Sequence, residues 1–215
     1  MSKNRIRVML VDDHAVVRMG FRLLLQGSDD IDVVGEAQSG EEAVRQFQEL
    51  APDVLVMDIS MPGIGGLEAI GRILARNAQQ KILVLSAHED VMHARRVLKA
   101  GAAGYLTKRS AAEVLMQAIR SVHKGAVYLE PLIAQAIAVE QVSGTQNPVD
   151  ALSEKEFKVF IELAKGKSVQ DIADVMSLSP RTIGTHLYHI KQKLNASNSA
   201  ELAIIAIRAG LIELT

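Results

Sequence analysis

A doubly wound α/β domain followed by a small all-α bundle is the fold this chain predicts, on three observations. Through the first 125 residues short apolar runs alternate with amphipathic segments. Beyond residue 150 every apolar spacing is helical. Between them Val142-Ser-Gly-Thr-Gln-Asn-Pro148 is polar and rich in turn formers. With 215 residues, 48% of them hydrophobic, there is material for two modest cores. The division expected is an α/β domain over 1–125, a linker with a helix from Pro131 to Glu140 over 126–149, and the bundle over 150–215.

The runs Arg5 to Val11, Asp32 to Ala37, Val54 to Asp58, Ile82 to Ser86 and Tyr105 to Thr107 read as strands. Five helical spacings separate or follow them: Val17, Phe21, Leu24; Ala43, Phe47, Leu50; Leu67, Ile70, Leu74; Val91, Ala94, Leu98; and Leu115, Ala118, Val122. Capping-box pairs, Ser39 with Glu42 and Ser110 with Glu113, start two of these helices. Strict alternation of strand and helix implies a parallel sheet covered on both faces, a (βα)5 domain, which explains why the strands are apolar without a polar face. In the bundle, Ser153 with Glu156 caps one helix, Gly166 ends it, Ser168 to Met176 forms a second, and Ser179-Pro180 starts a third. Ile183, Leu187, Ile190 and Leu194 share a face of that third helix, and a fourth, from about Ser199, carries Ala203, Ile204 and Ile207.

Composition narrows the chemistry. No cysteine is present, which excludes disulfides, thiolate metal sites and a cysteine nucleophile and fits a cytoplasmic setting. The basic N-terminus leads into a short strand that ends in two aspartates, which is neither a signal peptide nor a membrane span. With no Trp, three Tyr and four Phe, stacking on nucleic-acid bases is not the mode of action. The net charge of −1 identifies no nucleic-acid binder either, but Val175 to Ala200 contains no acid while holding Arg181, Lys191 and Lys193.

In an open parallel sheet ligands bind beyond the carboxyl ends of the strands. There the sequence places Asp12 and Asp13 after the first strand, Asp58 after the third, Ser86 at the end of the fourth and Lys108 after the fifth. Carboxylates crowded together resist ionisation unless a cation joins them, and hard oxygen donors suit Mg2+. A carboxylate can attack phosphorus while Mg2+, Lys108 and the Ser86 hydroxyl stabilise the transferring oxygens, which makes Asp58 the candidate phosphoacceptor. Pro62-Gly-Ile-Gly-Gly66 lacks the Gly-Lys-Ser/Thr ending of a phosphate loop and reads as a turn before a helix.

Val-Asp-Asp-His at 11 to 14, Met-Asp-Ile-Ser-Met-Pro-Gly at 57 to 63, and Lys108 resemble the receiver domain of bacterial two-component response regulators over about residues 5 to 124. The resemblance implies a flavodoxin-like fold, Mg2+ on Asp12, Asp13, Asp58 and the Ser60 carbonyl, and transfer of a phosphoryl group to Asp58 from a sensor histidine kinase. It implies further that Ser86 and Tyr105 form a switch pair and that Ala87 and His88 line the route to the phosphoryl group. Arg109 stands where many receivers have a proline after the lysine, so the cis bond found there is not expected here.

Leu152-Ser-Glu-Lys-Glu156, Asp171-Ile-Ala173, Leu178-Ser-Pro-Arg-Thr-Ile183, His186 and Lys193-Leu194 resemble the LuxR/NarL-type helix-turn-helix over about 150 to 214, and with a receiver make the NarL/FixJ arrangement. The resemblance places Gly184, Thr185 and Tyr188 toward base edges, and Arg181, Thr182 and Lys191 near phosphates. Gly184 stands where Lys or Asn is common and offers no side chain to a base. The last helix, through Ile207 and Leu211, resembles a dimerisation element. Ala102-Ala-Gly-Tyr-Leu-Thr-Lys108 and the general layout resemble the GacA/UvrY-type regulators of global gene expression.

The function expected is phosphorylation-controlled transcription rather than enzymatic turnover, apart from self-phosphorylation and slow self-dephosphorylation. The partners implied are a sensor histidine kinase, promoter DNA, a second copy of the chain when phosphorylated, and RNA polymerase, with no membrane. The alternative is a receiver-gated protein-interaction module whose helix-turn-helix, with Gly184, binds DNA weakly or without sequence preference. An aspartyl-phosphate hydrolase would need a second Asp where Ser60 stands. His186 and His189 lack the second ligand pair of a metal site.

Overall fold

A computed structural model of the protein describes residues 5–87, 91–109, 112–143, 148–209 and 211–212. The chain divides into two compact units, at 1–139 and 140–215. In the first, strands β1 (Ile6–Val11), β2 (Ile31–Ala37), β3 (Val54–Met57), β4 (Lys81–Ser86), β5 (Gly104–Thr107) and β6 (Tyr128–Leu129) alternate with helices α1 (Ala15–Gln26), α2 (Gly40–Leu50), α3 (Gly65–Arg76), α4 (Val91–Lys99) and α5 (Ala112–His123), and α6 (Pro131–Ser143) follows. All strand pairs are parallel, in the order β2-β1-β3-β4-β5-β6. The sixth strand extends the expected five. Tyr128 and Leu129 pair with Gly104 and Tyr105, and Ile133 is buried in the same core, so residues 126–139 group with the first unit.

Apart from Ser86 and Thr107 at their carboxyl ends, the buried strand residues are apolar, and successive side chains point to opposite faces. Met9, Val11, Leu55, Met57, Ile82, Val84 and Tyr105 meet Ala43, Phe47, Ile70, Ile73 and Val97 on one face. Val8, Leu10, Val54, Val56, Leu83, Leu85 and Leu106 meet Leu25, Leu115, Ala118, Ile119 and Val122 on the other. Burying each such Val, Leu or Ile contributes about 1.5–3 kcal/mol. Helix α1 buries the expected face, with Leu25 fully buried and Phe21 and Leu24 packed against the core. In α4 the face is rotated from the expected one: Met92, Ala94 and Val97 are buried, while Val91 and Leu98 are half-buried. Helix α4 is short, so periodicity leaves the choice of its face to packing.

Local capping follows the sequence with one exception. Ser39 accepts from Glu42 N, but the Glu42 carboxylate accepts from Gln38 N at 2.9 Å instead of completing the box on Ser39. The Ser110–Glu113 pair and His88 lie outside the described residues. No cis peptide bond occurs among the described residues, and none of their helices is long and apolar enough to cross a membrane.

The second unit opens with a 3-10 turn (Pro148–Ala151) and has helices α7 (Glu154–Ala164), α8 (Val169–Met176), α9 (Pro180–Leu194) and α10 (Ser199–Arg208). Helix α7 contacts α8, α9 and α10, and Phe157, Phe160, Leu163, Ile172, Ile183, Ile190, Leu194 and Leu202 are buried. Of the expected α9 face, Leu187 is only half-buried. Two complete capping boxes, Ser153 with Glu156 and Ser168 with Asp171, start α7 and α8. Glu156 is buried as well as capping, and Lys193 of α9 donates to its Oε2 at 2.6 Å while Ser153 N donates to the same oxygen at 2.7 Å.

Burial opposes the charge on Glu156, but the bonds from Lys193 and Ser153 outweigh it and draw the carboxyl pKa down to about 2. A depressed carboxylate stabilises the fold above its unfolded pKa and loses that contribution as pH falls through its folded one. Glu156→Gln keeps the cap acceptor and removes the charge. The variant is expected to be less stable than the parent by about 1–3 kcal/mol at pH 7, and the gap should close between about pH 5 and pH 2. Denaturant-dependent hydrogen exchange of residues 154–194 measures it.

Candidate functional site

The strand order reverses between β1 and β3, and the crevice at the carboxyl ends of these two strands is where a ligand fits an open α/β sheet. Asp12 follows β1 and Asp58 follows β3, and both are almost wholly buried. Their positions are fixed by the sheet: Asp12 N donates to Ala37 O of β2 at 3.1 Å and Asp58 N to Val11 O of β1 at 2.8 Å. Lys108, after β5, reaches in to bridge them, with Nζ 2.6 Å from Asp12 Oδ2 and 2.7 Å from Asp58 Oδ2. Desolvation works against the ammonium, but the bonds to Asp12 and Asp58 and their charges prevail, holding the lysine pKa above its ordinary value.

Asp13 completes the acidic group. Single ligand atoms of Asp12, Asp13, His14 and Asp58 all lie within 4.8 Å of one another. His14 Nδ1 stands 3.0 Å from Asp13 Oδ1 and 3.3 Å from Asp12 Oδ1. The first approach lacks hydrogen-bond geometry, so Asp13 Oδ1 is a buried oxygen without a hydrogen-bond partner. A solvent-poor carboxylate oxygen left unsatisfied beside two further carboxylates is the donor set that a hard divalent cation accepts, and the cluster could hold one.

The loop from Asp58 to α3 is built around close backbone approaches. Ser60 N donates to Asp58 Oδ1 at 3.0 Å, and Glu41 of α2 accepts from Ile64 N at 2.9 Å. Its own backbone amide, with the Ile64 amide adding to it, overcomes desolvation and holds the Glu41 carboxyl below its ordinary pKa. Gly63 and Gly65 have φ of 75° and 72°, conformations glycine adopts without strain. A Cβ on Gly66 would collide with Asp58 O and lie 2.6 Å from Ile59 Cα. Ser86 and Tyr105 are both fully buried, in adjacent strands β4 and β5, where Ser86 pairs with Thr107 and Val84 with Tyr105. The sequence thus names five of the groups the fold brings together. It does not reveal Glu41, which no spacing links to the strand ends, and it offers His14 and Gly66 only as parts of longer motifs.

In the second unit, α8 and α9 are joined by a tight turn in which Ser177 takes φ 53° and Leu178 N donates to Ala173 O at 2.9 Å. Helix α9 starts at the Ser179 cap with Pro180 in its first turn. Arg181, Thr185 and Tyr188 are exposed along it, and Gly184 and Lys191 are half-buried. Not every expected DNA-facing group is equally available. The Thr182 hydroxyl lies 2.8 Å from that of Ser179, Thr185 Oγ1 donates to Arg181 O at 3.1 Å, and Lys191 Nζ to Ser197 O at 3.2 Å. His189, exposed, has Nδ1 4.0 Å from Glu156 Oε1, while burial holds His186 below its ordinary pKa.

Because the added methyl of Gly66→Ala has only rigid backbone to push against, the substitution is expected to destabilise the first unit by about 1–3 kcal/mol. It should also disturb the acidic cluster that could hold a divalent cation, since the displaced backbone carries Asp58. Urea denaturation and metal titration by calorimetry read the two effects.

Residues 8–120 match the family described as "Response regulator receiver domain", and residues 150–206 match "Bacterial regulatory proteins, luxR family". The chain is 42% identical to the response regulator GacA of Pseudomonas viridiflava over 97% of this chain and 98% of that protein. It is 43% identical to the response regulator UvrY of Escherichia coli K12, over 96% and 95%. Among solved structures, RcsB of Salmonella enterica serovar Typhimurium, bound to promoter rprA in the presence of a phosphomimetic, superposes with TM-score 0.66 at 26% identity, over 94% of this chain and 98% of that one. An acidic, lysine-bridged crevice on a parallel sheet, joined in one chain to a helix-turn-helix, has these relatives because the chain belongs to the two-component response regulators, in the NarL/FixJ group with a LuxR-type DNA-binding domain.

Proposed function

We propose that Asp58 accepts a phosphoryl group from the phosphohistidine of a sensor kinase, and that this event controls promoter binding by α9 in a cytoplasmic regulator. The observation that carries the reading is the Lys108 bridge between the buried carboxylates of Asp12 and Asp58. An Asp58 carboxylate oxygen attacks phosphorus, a P–O bond forms as the P–N bond breaks, and the electron pair leaves on the imidazole nitrogen, which is then protonated. Lys108 follows the negative charge onto the transferred oxygens, and Ser86 supplies a hydroxyl to them. Asp12, Asp13, Asp58 and the Ser60 carbonyl would hold Mg2+. When bound, the ion neutralises the crowded carboxylates and polarises the phosphoryl oxygens. Tyr105 then repacks with Ser86 as the switch pair.

In the output domain, at about 150–215 and joined to the 1–125 receiver through 126–149, Thr185 and Tyr188 read base edges, while Arg181, Thr182 and Lys191 hold phosphates. Among the described residues nothing in the second unit demands glycine at 184, because a Cβ there meets no atom within 4 Å. Glycine inside a helix costs about 1 kcal/mol relative to alanine. The use of a bare Cα at this place is close approach of the DNA, which supports α9 as the groove-facing element. Phosphorylated chains pair as dimers on two half-sites and engage RNA polymerase there.

Retention on pooled genomic DNA fragments tests the whole reading. Selective retention should require an acyl-phosphate donor with Mg2+ and should vanish in Asp58→Ala. Equal retention in all conditions would detach the receiver from DNA binding, and none at all would favour a protein-interaction output. Gly184→Ala is expected to raise the stability of the second unit by about 0.5–1 kcal/mol while weakening operator binding. Thermal denaturation and fluorescence anisotropy check the two signs, and a gain in both would remove the close-approach argument.

A further inference from the structure

We infer that Glu130 is a positioning residue that latches helix α6 to the end of the strand bearing Lys108, and that phosphorylation at Asp58 releases this latch. The inference rests on the reading of Asp58 above and adds a route by which the site reaches the chain that leads into the second unit.

Two independent observations carry it. Glu130, between β6 and α6, turns its Oε1 back to β5, where it accepts from Thr107 N at 2.8 Å and from Thr107 Oγ1 at 3.1 Å. Thr107 directly precedes Lys108 and pairs in register with Ser86. One carboxylate therefore holds the residue that lies between the phosphoryl-facing lysine and serine on one side and α6 on the other. The second observation is in the core. Ile133 of α6 is buried, and Ile137 and Leu129 pack against it, in the same cluster as the fully buried Tyr105. The attachment of α6 thus includes a charge-assisted contact on Thr107 and apolar contacts in the group that holds Tyr105, two residues apart on β5.

Much of the segment's surface is open to solvent. Strand β6 has two residues and pairs with β5 alone. Val127, Leu132 and Val139 are exposed. An element fixed by few buried contacts opens at low cost and is suited to respond to a change at its anchor. Asp58 phosphorylation draws Lys108 and Ser86 toward the new oxygens, Thr107 moves with its neighbours, and a repacked Tyr105 loosens the seat of Ile133. Both anchors of α6 weaken in the same direction.

Hydrogen exchange of residues 131–139 in the full chain tests this, with phosphoaspartate quantified by intact mass, with and without acetyl phosphate and Mg2+. In the parent, phosphorylation should speed exchange by about tenfold, the scale set by one hydrogen bond to a charged group. Glu130→Gln keeps an acceptor oxygen without the charge, so its exchange without donor should fall between those of the parent and Glu130→Ala while it still responds to the donor. Glu130→Ala should exchange about tenfold faster already without donor and gain nothing further from it, while Asp58 is still phosphorylated. Unchanged exchange in a phosphorylated parent overturns the inference, as does a Glu130→Ala chain that keeps the full response or a Glu130→Gln chain that loses it. Absence of phosphoaspartate would instead overturn the reading of Asp58 on which the inference depends.

Discussion

Two carboxylates that are nearly stripped of solvent cannot both stay charged beside each other without a cation, and this constraint organises the first unit. Asp12 and Asp58 sit at neighbouring strand ends because β1 and β3 are adjacent where the strand order reverses, and the sheet bonds their backbones before their side chains meet anything. Lys108 supplies one positive charge to the pair. It does not satisfy Asp13, whose Oδ1 is buried without a hydrogen bond. The cluster of Asp12, Asp13 and Asp58 is thus one that could hold a divalent cation. The dry crevice that makes the charges costly also makes each of them effective on a transferring phosphoryl group.

The surrounding structure serves to keep that crevice narrow. Gly66 admits the start of α3 against the Asp58–Ile59 backbone, and Glu41 reaches across from α2 to hold the intervening loop. On the other side, Glu130 holds Thr107, next to Lys108, from the segment that continues into α6. Strand β5 thus carries the buried tyrosine of the core and the anchor of α6, and leads into the lysine of the site.

In the second unit the comparable constraint is Glu156. Its carboxylate caps α7, takes up Lys193 from α9, and is buried between the two. One residue fixes both the start of the first helix of the bundle and the angle of the helix that carries Arg181, Thr185 and Tyr188. The exposed face of α9 then has freedom to vary, and Gly184 exploits it without any packing penalty.

Much of this was legible before any coordinates. Alternating apolar runs identified the parallel sheet because strands covered on both faces have no polar side to interrupt them, and Asp12, Asp13, Asp58, Ser86 and Lys108 were found because chain direction alone puts strand ends together. The helix caps of the second unit were equally plain, since capping is a matter of neighbours along the chain. What the sequence could not decide were contacts between residues far apart in it. The face that α4 buries, the two-residue strand β6 with the Thr107 bond to Glu130 beside it, the reach of Glu41 to Ile64 and the double use of Glu156 all depend on groups brought together by packing. So the local periodicities determined the class of fold and the chemistry at its strand ends. Only the tertiary structure decided which distant groups hold that chemistry in place, because those contacts exist only once the elements have packed.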